Sequence, residues 1–321
     1  MNVQYAGTRS LLPGIVQGVR ALGPRVSHSN WLAFTNYGDN ASSCLLFMFD
    51  GRRRIPRAVA KITDNAMMSR REYRNQMAAH ELAPRHVPRP LGTFEIGALT
   101  VVCTEVVGGR HLTRSRDQFR HFARIADCLL GLHKAGAEYW AALAPARERL
   151  SDVYSKFSEL DGSARLRDYA AQCRRRSRDV SALLPSIPQH GDFRYMNVLI
   201  DKHSVGILDW EYYGACSMPC YDLLCLLLDA FFCESPQLPC DADSAVKFSR
   251  DVHTSVQRYF DALSIPVALA EPLIEWTLFQ QFVSSVERGE SSQKKFLDRI
   301  VLYRDNVSRS RDLLTALLPQ E

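Results

Sequence analysis

Apolar residues fall into short runs over the first third of the chain and recur at helical spacing over the rest. Leu45-Leu46-Phe47-Met48-Phe49 is a strand-length run closed by Asp50-Gly51, a hairpin-type turn signal. Arg57 to Ile62 reads as a second strand. Leu99 to Thr104, rich in β-branched residues, reads as a third. Between them Ser69 to Leu82 has helical character, with Ser69 as N-cap and Glu72 at the capping-box position. Pro84, Pro88 and Pro90 then break regular structure. Ahead of the strands, Leu11 to Leu22 is an amphipathic segment ended by Gly23-Pro24, and is expected to form a helix lying on the first domain.

Glu105 to Gly109 reads as a linker. Beyond it Phe119, Phe122, Ala126, Leu129 and Leu130 share one helical face. Helical patterns continue from Ala142 to Arg178, a loop-and-strand region spans Pro188 to Tyr213, and helices resume from Tyr221 to Leu318. The expected plan is an N-terminal helical extension over 1–27, a small β-rich domain over 28–104, a hinge at 105–110 and a larger helical domain over 111–321.

Composition narrows the function classes. The chain has 321 residues, 46% of them hydrophobic and 23% charged, which fits a folded protein with a sizeable core. Net charge is only +5, and the runs Arg52-Arg53-Arg54 and Arg174-Arg175-Arg176 lack interleaved aromatics, so no nucleic-acid role is expected. Nine cysteines, an odd number in a long chain, point to reduced thiols. Cys216, Cys220, Cys225, Cys233 and Cys240 lack the paired Cys-x-x-Cys and histidine grammar of a structural metal site. The N-terminus does not read as a signal peptide, and Leu223 to Cys233 is interrupted by Asp229 and too short to span a bilayer. The expectation is a cytoplasmic protein with no membrane role, a monomer or a homodimer.

The chemistry concentrates in His190-Gly191-Asp192-Phe193-Arg194-Tyr195-Met196-Asn197, followed by Asp209-Trp210-Glu211. Phosphoryl transfer from a nucleotide needs a carboxylate near the incoming hydroxyl, oxygen ligands for magnesium and positive charge at the phosphates. Asp192 can accept the hydroxyl proton, and Asn197 offers a neutral amide oxygen to a hard cation. Val198-Leu199-Ile200 and Ile207-Leu208 read as a hairpin that ends in Asp209. Arg194, two residues after Asp192 at a position that resembles the one where protein kinases carry lysine, is expected to contact the γ-phosphoryl group and offset developing charge. His190, Trp210, Asp222 and His133 read as structural. Asp222 is expected to cap the following helix or to brace the loop.

The pattern His190-Gly191-Asp192 to Asn197, joined to Asp209-Trp210-Glu211, resembles the aminoglycoside phosphotransferase and choline kinase family of the protein-kinase-like superfamily. The resemblance implies an α+β, bilobal protein-kinase-like fold, with a small β-rich N-lobe and a larger helical C-lobe. It also implies a small-molecule kinase that uses ATP or GTP with Mg2+, with Asp192 as base and Asn197 and Asp209 as metal ligands. Lys61 resembles the strand lysine that contacts the nucleotide phosphates, and Glu72 its acidic partner. Thr104 to Gly109, with Glu105 and Val107, resembles the hinge that receives adenine. Asn36 to Ser43 departs from the usual glycine-rich loop, with Ser42 and Ser43 as its remaining donors. The absence of a Gly-x4-Gly-Lys sequence disfavours a P-loop kinase.

The expected acceptor is a small-molecule hydroxyl: a sugar, an aminoglycoside or other antibiotic, or an amino alcohol. Glu211, Asp241, Asp243, Asp251, Glu271 and Glu275 are either a site for a cationic acceptor or ordinary surface charge. The basic tilt of the chain favours a neutral or anionic acceptor. A catalytically inactive kinase fold that binds nucleotide or a partner is the rival class, and nucleotidyl transfer is a third.

Overall fold

The computed structural model describes residues 3–26, 30–35, 43–51, 54–112, 115–143, 150–160, 164–177, 184–232, 242–289 and 291–305. The chain divides into two compact units, Met1–Arg110 with Leu199–Tyr213, and His111–Val198 with Gly214–Glu321.

The first unit opens with α1 (Val3–Ala21), then β1 (Trp31–Thr35), β2 (Cys44–Phe49) and β3 (Pro56–Thr63). The helix α2 (Ala66–Leu82) leads to β4 (Pro90–Ile96) and β5 (Leu99–Glu105). The strands form one antiparallel sheet in the order β1-β2-β3-β5-β4. Alternation along β3 buries Ala58, Ala60 and Ile62 with Leu46, Met48, Val101 and Cys103. Ile15, Val16 and Val19 of α1 close this core from outside the sheet, as the amphipathic pattern at Leu11–Leu22 predicts.

Two local expectations are corrected. The N-cap of α2 is Asn65, whose side chain accepts from Met68 N at 3.0 Å, while Ser69 is buried inside the helix. Glu72 is therefore free of a capping box and turns to the sheet. The proline-rich stretch does not end regular structure, because Pro90 opens β4 at the sheet edge, where a missing N–H leaves no gap in the ladder.

After the two-residue strand β6 (Arg110–His111), the second unit is built from α3 (Ser115–Leu143), α4 (Leu150–Leu160) and α5 (Ala164–Arg176). A 3-10 turn at Tyr195–Asn197 precedes β7 (Val198–Ile200) and β8 (Val205–Ile207). The remaining helices are α6 (Tyr221–Phe231), α7 (Ala242–Ala262), α8 (Ala270–Glu287) and α9 (Gln293–Asp305). α3 packs on α6 and α7, and α8 packs on α4, α5, α6 and α9. α8 is buried almost all round, which makes it the axis of the unit. Its Phe279 and Phe282 stack edge-on against Phe157.

The segment from Leu199 clusters with the sheet unit, although its sequence neighbours are helical. Its anchor is His86, whose carbonyl accepts from Ile207 N at 2.7 Å and whose Nδ1 lies 2.8 Å from Val205 O. The described cysteines are free thiols, and burial pushes those of Cys103, Cys128 and Cys173 up to about 12, so they are inert packing groups. No single described helix is long and apolar enough to cross a membrane.

Gly109 holds φ +133° where a Cβ would lie 3.0 Å from Ile200 N and 3.1 Å from Ile200 C. Those are backbone atoms that cannot swing aside. Gly109→Ala is expected to cost about 2 kcal/mol or more of unfolding free energy. Urea unfolding measures this, and an unchanged midpoint would show that the close approach is not tight.

Candidate active site

Because alternate β3 residues face the α1 core, Lys61 points to the opposite face of the sheet. There Nζ lies 2.9 Å from Glu72 Oε2 of α2, 3.7 Å from Asp209 Oδ1 and 3.8 Å from Glu211 Oε2. Burial alone lowers the Lys61 pKa, but the three carboxylates outweigh it and hold the ammonium charged well above the ordinary lysine range. Burial raises Glu72 against the pull of Lys61. Burial, then the Asp209 charge, lifts Glu211 to about 7.

The same helix α2 secures the segment after β8. Asn75 Nδ2 donates to Glu211 O at 3.0 Å, and the Arg71 guanidinium lies 5.4 Å from the Tyr212 ring centroid. Trp210 is buried and donates through Nε1 to Ile207 O at 2.9 Å. Between these anchors Asp209 is held at φ +66°, an uncommon conformation for a non-glycine residue. Its Oδ1 is shielded from solvent and makes no hydrogen bond. A carboxylate oxygen in that condition fits a hard divalent cation.

Of the other expected nucleotide contacts, Ser43 is buried just before β2 and Ser42 lies outside the described residues. Glu105 ends β5. Its N–H donates to Arg89 O at 2.8 Å, and its carboxylate pairs with the Arg89 guanidinium. Val107 lies where a side chain at Gly206 would stand, so its methyl groups pack against the β7–β8 hairpin.

In the second unit the residues from Gln189 to Asn197 hang on Asp222 at the start of α6. Its fully buried carboxylate accepts from His190 N at 2.6 Å and Gly191 N at 3.1 Å. Gln189 Oε1 in turn accepts from Asp222 N at 3.1 Å. His133 Nε2 lies 3.2 Å from Asp222 Oδ2 and its Nδ1 meets the Tyr259 hydroxyl. With Nε2 protonated toward the carboxylate, Nδ1 accepts the hydroxyl proton. Gly191 takes φ +83°, which a side chain would resist. The turn leaves Asp192 projecting from a fixed backbone, with its N–H donating to His190 Nδ1 at 3.3 Å.

Asn197 Nδ2 donates to Asp192 O at 3.0 Å, so it is the nitrogen side of the amide, not Oδ1, that is committed to the loop. Two guanidiniums flank the Asp192 carboxylate. Arg194 Nε lies 2.9 Å from Oδ1, with its guanidinium 5.6 Å from the Phe296 ring centroid. Arg288 Nη1 lies 3.4 Å from the same oxygen, and Nη2 donates to Gly191 O at 2.9 Å. Arg288 escapes a reading of the sequence because it is 96 residues from Asp192 and looks like an ordinary basic helix end before Gly289. Asn75 escapes it because its partner is a backbone carbonyl.

The profile of the phosphotransferase enzyme family matches residues 50–255. A search of curated proteins found no match. Among solved structures, a macrolide 2′-phosphotransferase from Brachybacterium faecium is similar at 12% identity and TM-score 0.56, over 96% of this chain and 99% of that one. Choline kinase LicA from Streptococcus pneumoniae is similar at 13% identity and TM-score 0.55, over 95% and 99%. An aminoglycoside phosphotransferase crystallised with ADP and hygromycin B is similar at 12% identity and TM-score 0.55, over 95% and 98%. These likenesses establish the kinase-like α+β fold.

Removing the carboxylate of Asp222 would strand two buried amides and a buried histidine. Asp222→Ala is therefore expected to lower the unfolding free energy by about 3–5 kcal/mol. Urea unfolding checks this, and a loss under about 1 kcal/mol would mean that the loop is held by other contacts.

Proposed function

Because the chain belongs to the phosphotransferase enzyme family, whose members are small-molecule kinases, we propose that it moves the γ-phosphoryl group of ATP or GTP to a hydroxyl of a small molecule. The observation that carries this reading is the braced loop in which Asp192 projects while Asn197 turns its amide NH2 back onto the Asp192 carbonyl.

Asp192 takes the proton of the acceptor hydroxyl as the new oxygen–phosphorus bond forms. The bond from the γ-phosphorus to the bridging oxygen breaks, and the nucleoside diphosphate leaves with that oxygen. Lys61, kept cationic and oriented by Glu72, binds the nucleotide phosphates. Arg194 offsets charge on the transferring group. Asn197 and Asp209 would hold magnesium, and the Oδ1 of Asp209, which is shielded from solvent and makes no hydrogen bond, supports the assignment of Asp209. Magnesium, when bound, supplies neutralisation of the phosphate oxygens. Ser43, Glu105 and Val107 border the nucleotide. Solved relatives by fold include proteins crystallised with spectinomycin or hygromycin B. An aminoglycoside, another antibiotic, a sugar or an amino alcohol is accordingly the acceptor range.

Three measurements test this. Acceptor-dependent release of nucleoside diphosphate is expected to fall by about 10²–10⁴ in Asp192→Ala. Retained turnover there would exclude Asp192 as base. Arg194→Ala is expected to lower kcat, and an unchanged kcat would remove Arg194 from the chemistry. Magnesium with ATP is expected to raise the thermal midpoint of the intact chain and to lose most of that effect in Asp209→Ala. An equal shift in the variant would remove Asp209 from the metal site.

A further inference from the structure

A small pocket in the helical unit opens beside Asp192. Its charged lining among the described residues consists of one carboxylate, Asp192, and two guanidiniums, Arg194 and Arg288. Gln281, Ser284 and Ser285 add neutral polar groups from α8, and Phe193, Tyr221 and Phe296 form the apolar walls. Three other carboxylates of this unit, the buried Asp222 and Glu275 and the half-buried Asp229, are engaged elsewhere. Asp222 holds the loop, Asp229 pairs with Arg299 Nη2 at 2.7 Å, and Glu275 takes Arg176 and the Tyr169 hydroxyl. Glu271 is exposed, and the Asp241 position lies outside the described residues.

A polycation approaching this pocket would meet two guanidiniums against the one carboxylate of the described lining, and that carboxylate is already paired with both of them. An oxyanion would meet a planar guanidinium suited to paired hydrogen bonds. Like-charge contact rejects one class while opposite charge selects the other. Arg288 is only 13% exposed and is steadied by its bond to Gly191 O, so its fork is placed before any ligand arrives.

We infer that the acceptor hydroxyl is carried by a compound that also bears an oxyanion, a carboxylate or a phosphate, and that Arg288 recognises it. This rests on the kinase reading of Asp192. It narrows the acceptor to sugar acids, sugar phosphates or comparable hydroxylated anions, and argues against the polycationic aminoglycosides.

The test is nucleoside diphosphate release by the full chain with magnesium and ATP, using matched pairs. These are glycerol with glycerate, glucitol with gluconate and glucose with glucose 6-phosphate, with kanamycin as the polycation. The expected result is a preference of about tenfold or more in kcat/KM for a charged member over its neutral partner. The carboxylate and phosphate arms separate the two oxyanions. In Arg288→Gln that preference is expected to collapse, chiefly through KM of the charged member. An equal loss for both members would mark Arg288 as merely structural and overturn the inference.

Equal or better turnover of a neutral member or of kanamycin would also overturn it while leaving the kinase reading intact. If no compound turns over, calorimetry of gluconate and glucose 6-phosphate on the magnesium–ATP-loaded chain decides. Binding that is lost in Arg288→Gln supports the inference, and no binding overturns it. Failure to bind magnesium–ATP as well would overturn the kinase reading itself.

Discussion

The buried carboxylate of Asp222 is the constraint from which the helical unit's chemistry follows. It satisfies two consecutive backbone amides, His190 and Gly191, and meets His133 from α3. A buried carboxylate is tolerated only when its lone pairs are taken up, and here the takers are the loop that carries Asp192. The arrangement couples α3, α6 and the loop. Asp192, the proposed base, is thereby presented from a backbone whose conformation is over-determined, which is what proton transfer at a fixed distance would require. The residue is silent in any list of reactive groups, yet Asp192, Asn197 and the bond from Arg288 to Gly191 O all stand on the backbone it holds.

The sheet unit reaches an equivalent result by another route. There the organiser is α2, which brings Glu72 to Lys61, Asn75 to the carbonyl of Glu211 and Arg71 to the face of Tyr212. One helix thus positions both the cation expected at the phosphates and the aspartate expected at the metal. Three carboxylates around one lysine would be costly without a counter-charge. Lys61 supplies it, and the Asp209 oxygen at 3.7 Å from its ammonium still makes no hydrogen bond. The strain at Asp209, with φ +66°, lies at the atom on which the proposed chemistry depends.

Much of this was legible in the sequence because the relevant signals are local. Asp192, Asn197 and Asp209 sit in a short stretch with recognisable spacing. The strands β2, β3 and β5 are apolar runs with clear ends. Lys61 and Glu72 are read as partners from a strand lysine followed by a helix carboxylate, and they lie 2.9 Å apart. What escaped is non-local or context-dependent. β4 was hidden because proline is disruptive inside a sheet but harmless at its edge, and the strand order decides which applies. Asn65 and Ser69 are both acceptable caps by composition, and the burial of Ser69 separates them. Arg288 comes to Asp192 from the far end of α8, a contact that no spacing rule encodes. The reading of acidic residues such as Glu275 as a site for a cation also needed the structure, which pairs that carboxylate with Arg176.

The central claim is that the transferred group is the terminal phosphoryl of the nucleotide and that its destination is a hydroxyl oxygen. The most direct measurement follows the label from γ-phosphorus-labelled ATP into an acceptor, with the product weighed by mass spectrometry. The account predicts that the label moves to the acceptor, that the product gains one phosphoryl group and that ADP is the other product. Label released as pyrophosphate, with a product heavier by a nucleotidyl group, would contradict it.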